Sequence, residues 1–129
     1  MNWVEFHSKS EAIASEASLA VRRDDLDSAE KLYRQAAEYE IRALDVVDRT
    51  KIRTRGITAV SAVALCFKGR EYGKAEQLAY AALADSSLPE FARLELKSLL
   101  LAIWSTMAEI TAQSNPEDDD SGHHETNAA

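Results

Sequence analysis

One cysteine, two prolines and four glycines are all that 129 residues hold of the types that crosslink, break or loosen a chain. Cys66 alone excludes an intrachain disulfide and a zinc site built from this chain's thiolates. So few helix breakers permit long uninterrupted helices. No apolar run approaches a membrane span: the densest, Leu99 to Trp104, falls far short of the ~20 residues that a spanning helix needs. The opening Met-Asn-Trp-Val-Glu-Phe-His lacks the basic segment and apolar run of a signal peptide, so a cytoplasmic protein without membrane contact is expected. Excess positive charge is missing too. A formal net charge of −7 argues against general binding to nucleic acid or anionic membrane. Part of that charge sits in Glu117-Asp-Asp-Asp120, so the preceding body is nearer neutral.

What the sequence does hold is helical periodicity. Trp3, Phe6, Ser10, Ile13, Ala17 and Ala20 recur at three-and-four spacing, which predicts an amphipathic helix from about residue 2 to Arg23. Asp24 or Asp25 can cap a second helix that carries Leu26, Ala29, Leu32, Tyr33, Ala36, Ala37, Ile41, Leu44 and Val47 on one broad face and ends near Asp48. Glu30/Arg34 and Glu38/Arg42 are i,i+4 pairs on its wet side. A third helix, apolar on nearly all sides, reaches Lys68 and is terminated by Gly69; that composition predicts a helix sandwiched between neighbours. Tyr72 to Asp85 reads as a fourth. Ser87-Leu-Pro-Glu90 has the form of a capping box before a fifth, whose main apolar face is Phe91, Leu94, Leu99, Leu100, Ile103, Trp104, Met107 and Ile110. From Gln113 the apolar period is lost. The expected organisation is an all-α domain of five antiparallel helices over 1–112 and an acidic, disordered tail over 113–129.

Asp25-Leu-Asp-Ser-Ala-Glu-Lys-Leu-Tyr-Arg-Gln-Ala-Ala37 returns in altered form as Glu71-Tyr-Gly-Lys-Ala-Glu-Gln-Leu-Ala-Tyr-Ala-Ala-Leu83, with Ala29 over Ala75. Leu26, Ala29, Tyr33 and Ala36, then Tyr72, Ala75, Ala79 and Ala82, resemble the second helix of tetratricopeptide repeats. The resemblance covers most of residues 9–112 and implies two helical hairpins plus a closing helix. The sequence departs from that family in three respects. The copies lie 46 residues apart, where a standard repeat is about 34. The first helices put Ile13, Glu16, Ala17 and Ala20, then Ala59, Ala62, Val63 and Cys66, where the family's signature would fall, and Tyr33 is answered by the smaller Ala79. Residues 10–47 also look like the first two helices of an MIT domain, which the helices after residue 50 fit poorly.

Catalytic chemistry finds little to use. The histidines are His7, His123 and His124, and no Glu-x-x-His pair occurs, so no metal site, cofactor or catalytic residue is assigned. His123-His124-Glu125 beside Asp118–Asp120 reads as solvated tail, and Cys66, in the most apolar helix, as an inert buried thiol. The expectation is a non-enzyme acting through protein–protein contacts, because stacked hairpins present an extended surface. Positions matching the family's lining include Ser18 and Arg22, then Ile57, Val60, Ser61, Ala64, Phe67 and Lys68. The family binds carboxylate tails through a clamp of Lys and Asn at several of these places; only Lys68, and loosely Arg22, matches it, so the resemblance implies that this recognition is disfavoured. The small, apolar remainder suits an amphipathic helix or apolar peptide. The competing expectation is that the fifth helix, or Trp3 and Phe6, covers that groove. Leu96 and Leu101 fall outside the fifth helix's main face, and together with Trp104 they predict a homodimer or heteromeric complex. The alternating run Arg49, Lys51, Arg53 and Arg55 is the alternative site, for a phosphate, an acidic peptide or RNA, against the plainer reading of solvated residues at a helix end.

Overall fold

Residues 1–114 are described by the computed structural model, and among them five helices and no strand occur. They are α1 (Trp3–Arg22), α2 (Leu26–Val46), α3 (Ile52–Lys68), α4 (Tyr72–Leu83) and α5 (Glu90–Ser114). Local chemistry sets where each begins. Asn2 and Glu5 form a reciprocal cap at 2.9 Å in both directions, and Asp25 accepts from the Ser28 backbone N–H at 3.3 Å. α3 starts without a side-chain cap, at Lys51.

The 46-residue repeat reappears in the turns, bond for bond. After α1, Asp24 turns left-handed with φ 62°, and the Asp25 N–H donates to the Ala20 carbonyl at 2.9 Å. After α3, Arg70 adopts φ 62° and the Glu71 N–H donates to the Cys66 carbonyl at 2.9 Å. Each is a Schellman-type stop, in which the N–H two beyond the C-cap residue, Arg23 or Gly69, reaches back to a free carbonyl. Both turns fold the chain back antiparallel. His7, Ser10 and Ser18 on α1 meet Glu40, Ala36 and Tyr33 on α2, numbers rising on one helix as they fall on the other.

α3 packs against α2, α4 and α5, which accounts for its nearly all-apolar surface. The interior is built largely of small residues: Ala36, Ala37, Ala75, Ala79 and Ala92 are fully buried with Val63, Cys66, Leu96 and Ile103. Alanines let helix backbones approach closely. The same closeness fixes Gly69, where an added Cβ would stand 2.8 Å from Arg34 Cγ and 3.1 Å from the Arg34 backbone nitrogen. Gly69 itself has φ −82°, so the left-handed position belongs to Arg70, and Gly69 is required by α2 pressing on it.

Several expectations need correction. Ser87 does not cap α5: its hydroxyl and N–H both go to Asp85 Oδ1, at 2.7 and 3.0 Å, and the helix opens at Glu90. α4 stops at Leu83, two residues early. The face of α5 is rotated. Ala92, Leu96, Leu100 and Ile103 are buried, while Leu94 is 57% exposed. The pivot is Ala92, which fits against Gly56 of α3, where a larger pair could not pass. Leu96 is therefore a core residue and is not available for self-association. Leu26 is 57% exposed, outside the face assigned to it. Of the two ion pairs expected on α2, Glu30–Arg34 forms at 3.7 Å, whereas Arg42 lies over the Tyr39 ring. α5 continues through Gln113 and Ser114; His123, His124 and the acidic run lie outside the described residues.

Candidate functional site

The two first helices, α1 and α3, are separated along most of their length and are tied to each other near both ends. At one end the Trp3 indole N–H donates to the Thr58 hydroxyl at 3.0 Å, and Thr58 in turn donates to the Thr54 carbonyl at 2.7 Å. At the other, Tyr33 of α2 bridges them: its hydroxyl lies 3.3 Å from Ser18 Oγ, and the Lys68 ammonium sits 5.6 Å from its ring centre. Ser18 of α1 and Lys68 of α3, 50 positions apart in the sequence, thus converge on one aromatic ring. Along the surface between these ties, Val60, Ser61, Ala64 and Phe67 are half-buried and Ile57, Lys68 and Arg22 are exposed. On α1 a shallow depression is lined by Glu11, Ala14, Ser15 and Ser18. α5 packs on α3 and α4, away from α1. Of the two expected covers, Trp3 closes only one end of the face.

Behind that face lies a polar cluster that periodicity did not reveal. Glu40 is fully buried, and both its carboxylate oxygens lie within 3.1 Å of His7 Nδ1. His7 Nε2 is 3.3 Å from Glu11 on the solvent side, and the Trp3 ring stacks on the imidazole at 4.6 Å. Each ring nitrogen therefore faces a carboxylate, one buried and one exposed. A carboxylate out of water demands such a partner. The sequence signal was Glu40's place one turn from both Ala36 and Ala43, on the buried stripe of α2.

The described residues hold no cluster of histidine, cysteine or carboxylate side chains suited to a metal ion. Cys66 is buried and its thiol is pushed up to about 11 by burial, so it stays protonated at neutral pH.

The basic run does not form one patch. Arg49 and Lys51 are exposed in the α2–α3 connection, the Arg53 guanidinium lies 5.3 Å from the Phe91 ring centre, and Arg55 pairs with Asp85 at 3.0 Å. Asp85 also accepts from Ser87, and these bonds, the Ser87 hydroxyl and N–H first and Arg55 after, hold its carboxyl down to about 2. Arg49, Arg55 and Asp85 rim a cleft of about 300 Å³ floored by Val47, Ala59, Leu78, Ala82 and Leu88. Its charged rim is balanced, Asp45 and Asp85 facing the two arginines, which suits general polyanion binding poorly.

On α5, Leu101 is 66% and Trp104 42% exposed. Trp104 is engaged from below: its N–H donates to Glu76 of α4 at 2.7 Å, and the Tyr80 hydroxyl reaches the same oxygen at 3.2 Å. No helix among the described residues is long and apolar enough to cross a membrane. Compared with known proteins, the chain matches no protein-family model, and no curated protein or solved structure matches it significantly.

Proposed function

We propose that this protein is a protein–protein interaction module, an adaptor or accessory subunit of the cytoplasm. It receives a partner peptide or helix across the joined α1/α3 face. The observation that carries this reading is the row Ile57, Val60, Ala64 and Phe67 of α3, kept partly exposed between the two ties to α1 while α5 packs on α3 and α4. Apolar residues held rigidly on helices suit a partner's apolar anchors, and the flanking Arg22 and Lys68 suit acidic residues beside them. Kinship with tetratricopeptide hairpins belongs to the same reading and rests on the paired stretches around Ala29 and Ala75. The test is affinity purification from the native host with the wild-type chain and with Ile57→Asp and Ala64→Arg. Expected is loss of the same co-purifying proteins from both variants at unchanged thermal stability. A partner set untouched by either substitution overturns it.

A further inference from the structure

We propose that the outer face of α5 docks an amphipathic helix of a different polypeptide, which completes a third helical hairpin with α5 as its first helix. On α3 two adjacent stripes meet different helices. Gly69, with Leu65 and Ala62 one and two turns before it, lies on the stripe that meets α2, where Arg34 abuts it. One residue on, Cys66 and Val63 lie on the stripe closed by α4, in the cluster with Ala75 and Ala79. A step of one residue turns about 100° around a helix. α5 shows the first of these stripes: Trp104, with Leu100 and Met107 beside it, meets α4 through Glu76 and Tyr80. One residue on stand Leu101, Ser105 and Ala108, extended by Leu94 and Ser98. This is where the second helix lies in each earlier hairpin, and here all five residues are exposed. Leu94 and Leu101, two turns apart, are 57% and 66% exposed. The alternation of large residues with Ser and Ala is what lets a further helix approach closely, as Ser10, Ala17 and Ala20 do under α2.

Charge decides between a second copy and another protein. Glu95 and Glu109 stand on the same flank of the stripe, with Lys97 on the other. Two copies of α5 laid antiparallel in full overlap would set Glu95 of each beside Glu109 of its partner, twice over, between chains that each carry −7. A helix with basic residues along that flank meets the same carboxylates favourably. The occupant is therefore a cationic amphipathic helix from another protein.

The test uses the full chain and two labelled helical peptides of identical Leu/Ala apolar face, one flanked by Lys and one by Glu, followed by fluorescence anisotropy. The Lys peptide is expected to bind at least tenfold tighter and to weaken as salt rises. The double substitution Leu94→Ser/Leu101→Ser should reduce its affinity at least tenfold with unchanged circular dichroism and melting. Ile57→Asp, on the α1/α3 face, should leave it unaffected, so the result stands apart from the fate of the groove. Equal binding of the two peptides, binding of neither, or indifference to the serine substitutions overturns the proposal. So does a dimer of the chain alone that the serine substitutions dissolve, because the face then belongs to a second copy.

Discussion

The two hairpins share one turn geometry and are held together by different means. Hairpin α1/α2 is tied by polar side chains: Ser10 to the Ala36 carbonyl at 2.9 Å, His7 to Glu40, and Ser18 to Tyr33. At equivalent positions hairpin α3/α4 has Gly56, Arg53 and Ala64, none of which reproduces these ties, and its interior is Val63, Cys66, Ala75 and Ala79. Side-chain bulk is exchanged in parallel. The first hairpin combines Tyr33 with the small Ala17 and Ala20, whereas at the matching positions the second combines Ala79 with the larger Val63 and Cys66. Position in the array explains the difference. α3 is covered by three neighbours and gains its order from burial, while α1 has only α2 along its length and uses directional bonds to fix its register.

Removing the charge partner should break that contrast most visibly. His7→Ala leaves the Glu40 carboxylate buried without a partner and should cost on the order of 3 kcal/mol. Arg53→Ala, the matching change in the second hairpin, removes an exposed cation over Phe91 and should cost under about 1 kcal/mol. Urea unfolding measures both. Adding Glu40→Gln to His7→Ala should recover part of the loss, because the uncompensated charge is gone. No recovery would mean that His7 acts through the Trp3 stack and not through the carboxylate.

Overpacking probes what the hairpins share. Ala29→Leu and Ala75→Leu should each cost about 1–3 kcal/mol, with Ala75, inside the sandwiched hairpin, toward the upper end. Midpoints unchanged by either would sink the account of small residues as the packing device.

These two pairs also mark what could be read from the sequence. The Ala29 and Ala75 stripes were legible because small residues recur at helical spacing through two polar-backed helices, and composition carried the fold class. The face of α5 was not legible. Leucines at 94, 96, 99, 100 and 101 point almost all round the helix, so hydrophobicity cannot choose a side. The choice is made by Ala92 against Gly56, a long-range steric fit. His7 and Glu40 are 33 positions apart, and a glutamate among Glu38, Tyr39 and Arg42 looks like surface until its neighbours Ala36 and Ala43 are seen to be buried. Likewise Ser87 matched a capping box by spacing, but Asp85, two residues earlier, holds its hydroxyl.

Acid separates the hairpins by a smaller margin. The Asp85 carboxyl is held at about 2, below its ordinary 3.8, by the Ser87 bonds and Arg55. A depressed carboxyl contributes stability that is fully present above pH ~4 and is lost as pH falls through about 2. Asp85→Asn should therefore flatten the fall in melting temperature between pH 4 and 2 while leaving its shape above pH 5 unchanged. Asp25, at the start of the first hairpin's second helix, is also lowered, by Ser28, but has no arginine bonded to it. Asp25→Asn should change the acid limb less. The reverse ranking would show that the Arg55 contact is not what distinguishes the second hairpin.

The smallest contrast lies in the turns themselves. Asp24 and Arg70 occupy the same left-handed conformation, φ 62° in both. Asp visits that region readily because its short side chain bonds locally, whereas an ordinary side chain pays about 1–2 kcal/mol there. Glycine removes that strain and carries its own entropic cost of ~0.5–1 kcal/mol on folding. Arg70→Gly also loses the 3.5 Å pair with Glu30, an exposed contact of little weight. The balance is a gain of about 0.5 kcal/mol for Arg70→Gly and close to none for Asp24→Gly, read as a shift in urea midpoint at constant slope. Equal gains at the two sites would mean that Asp24 is as strained as Arg70, and that the turns differ in sequence but not in energy.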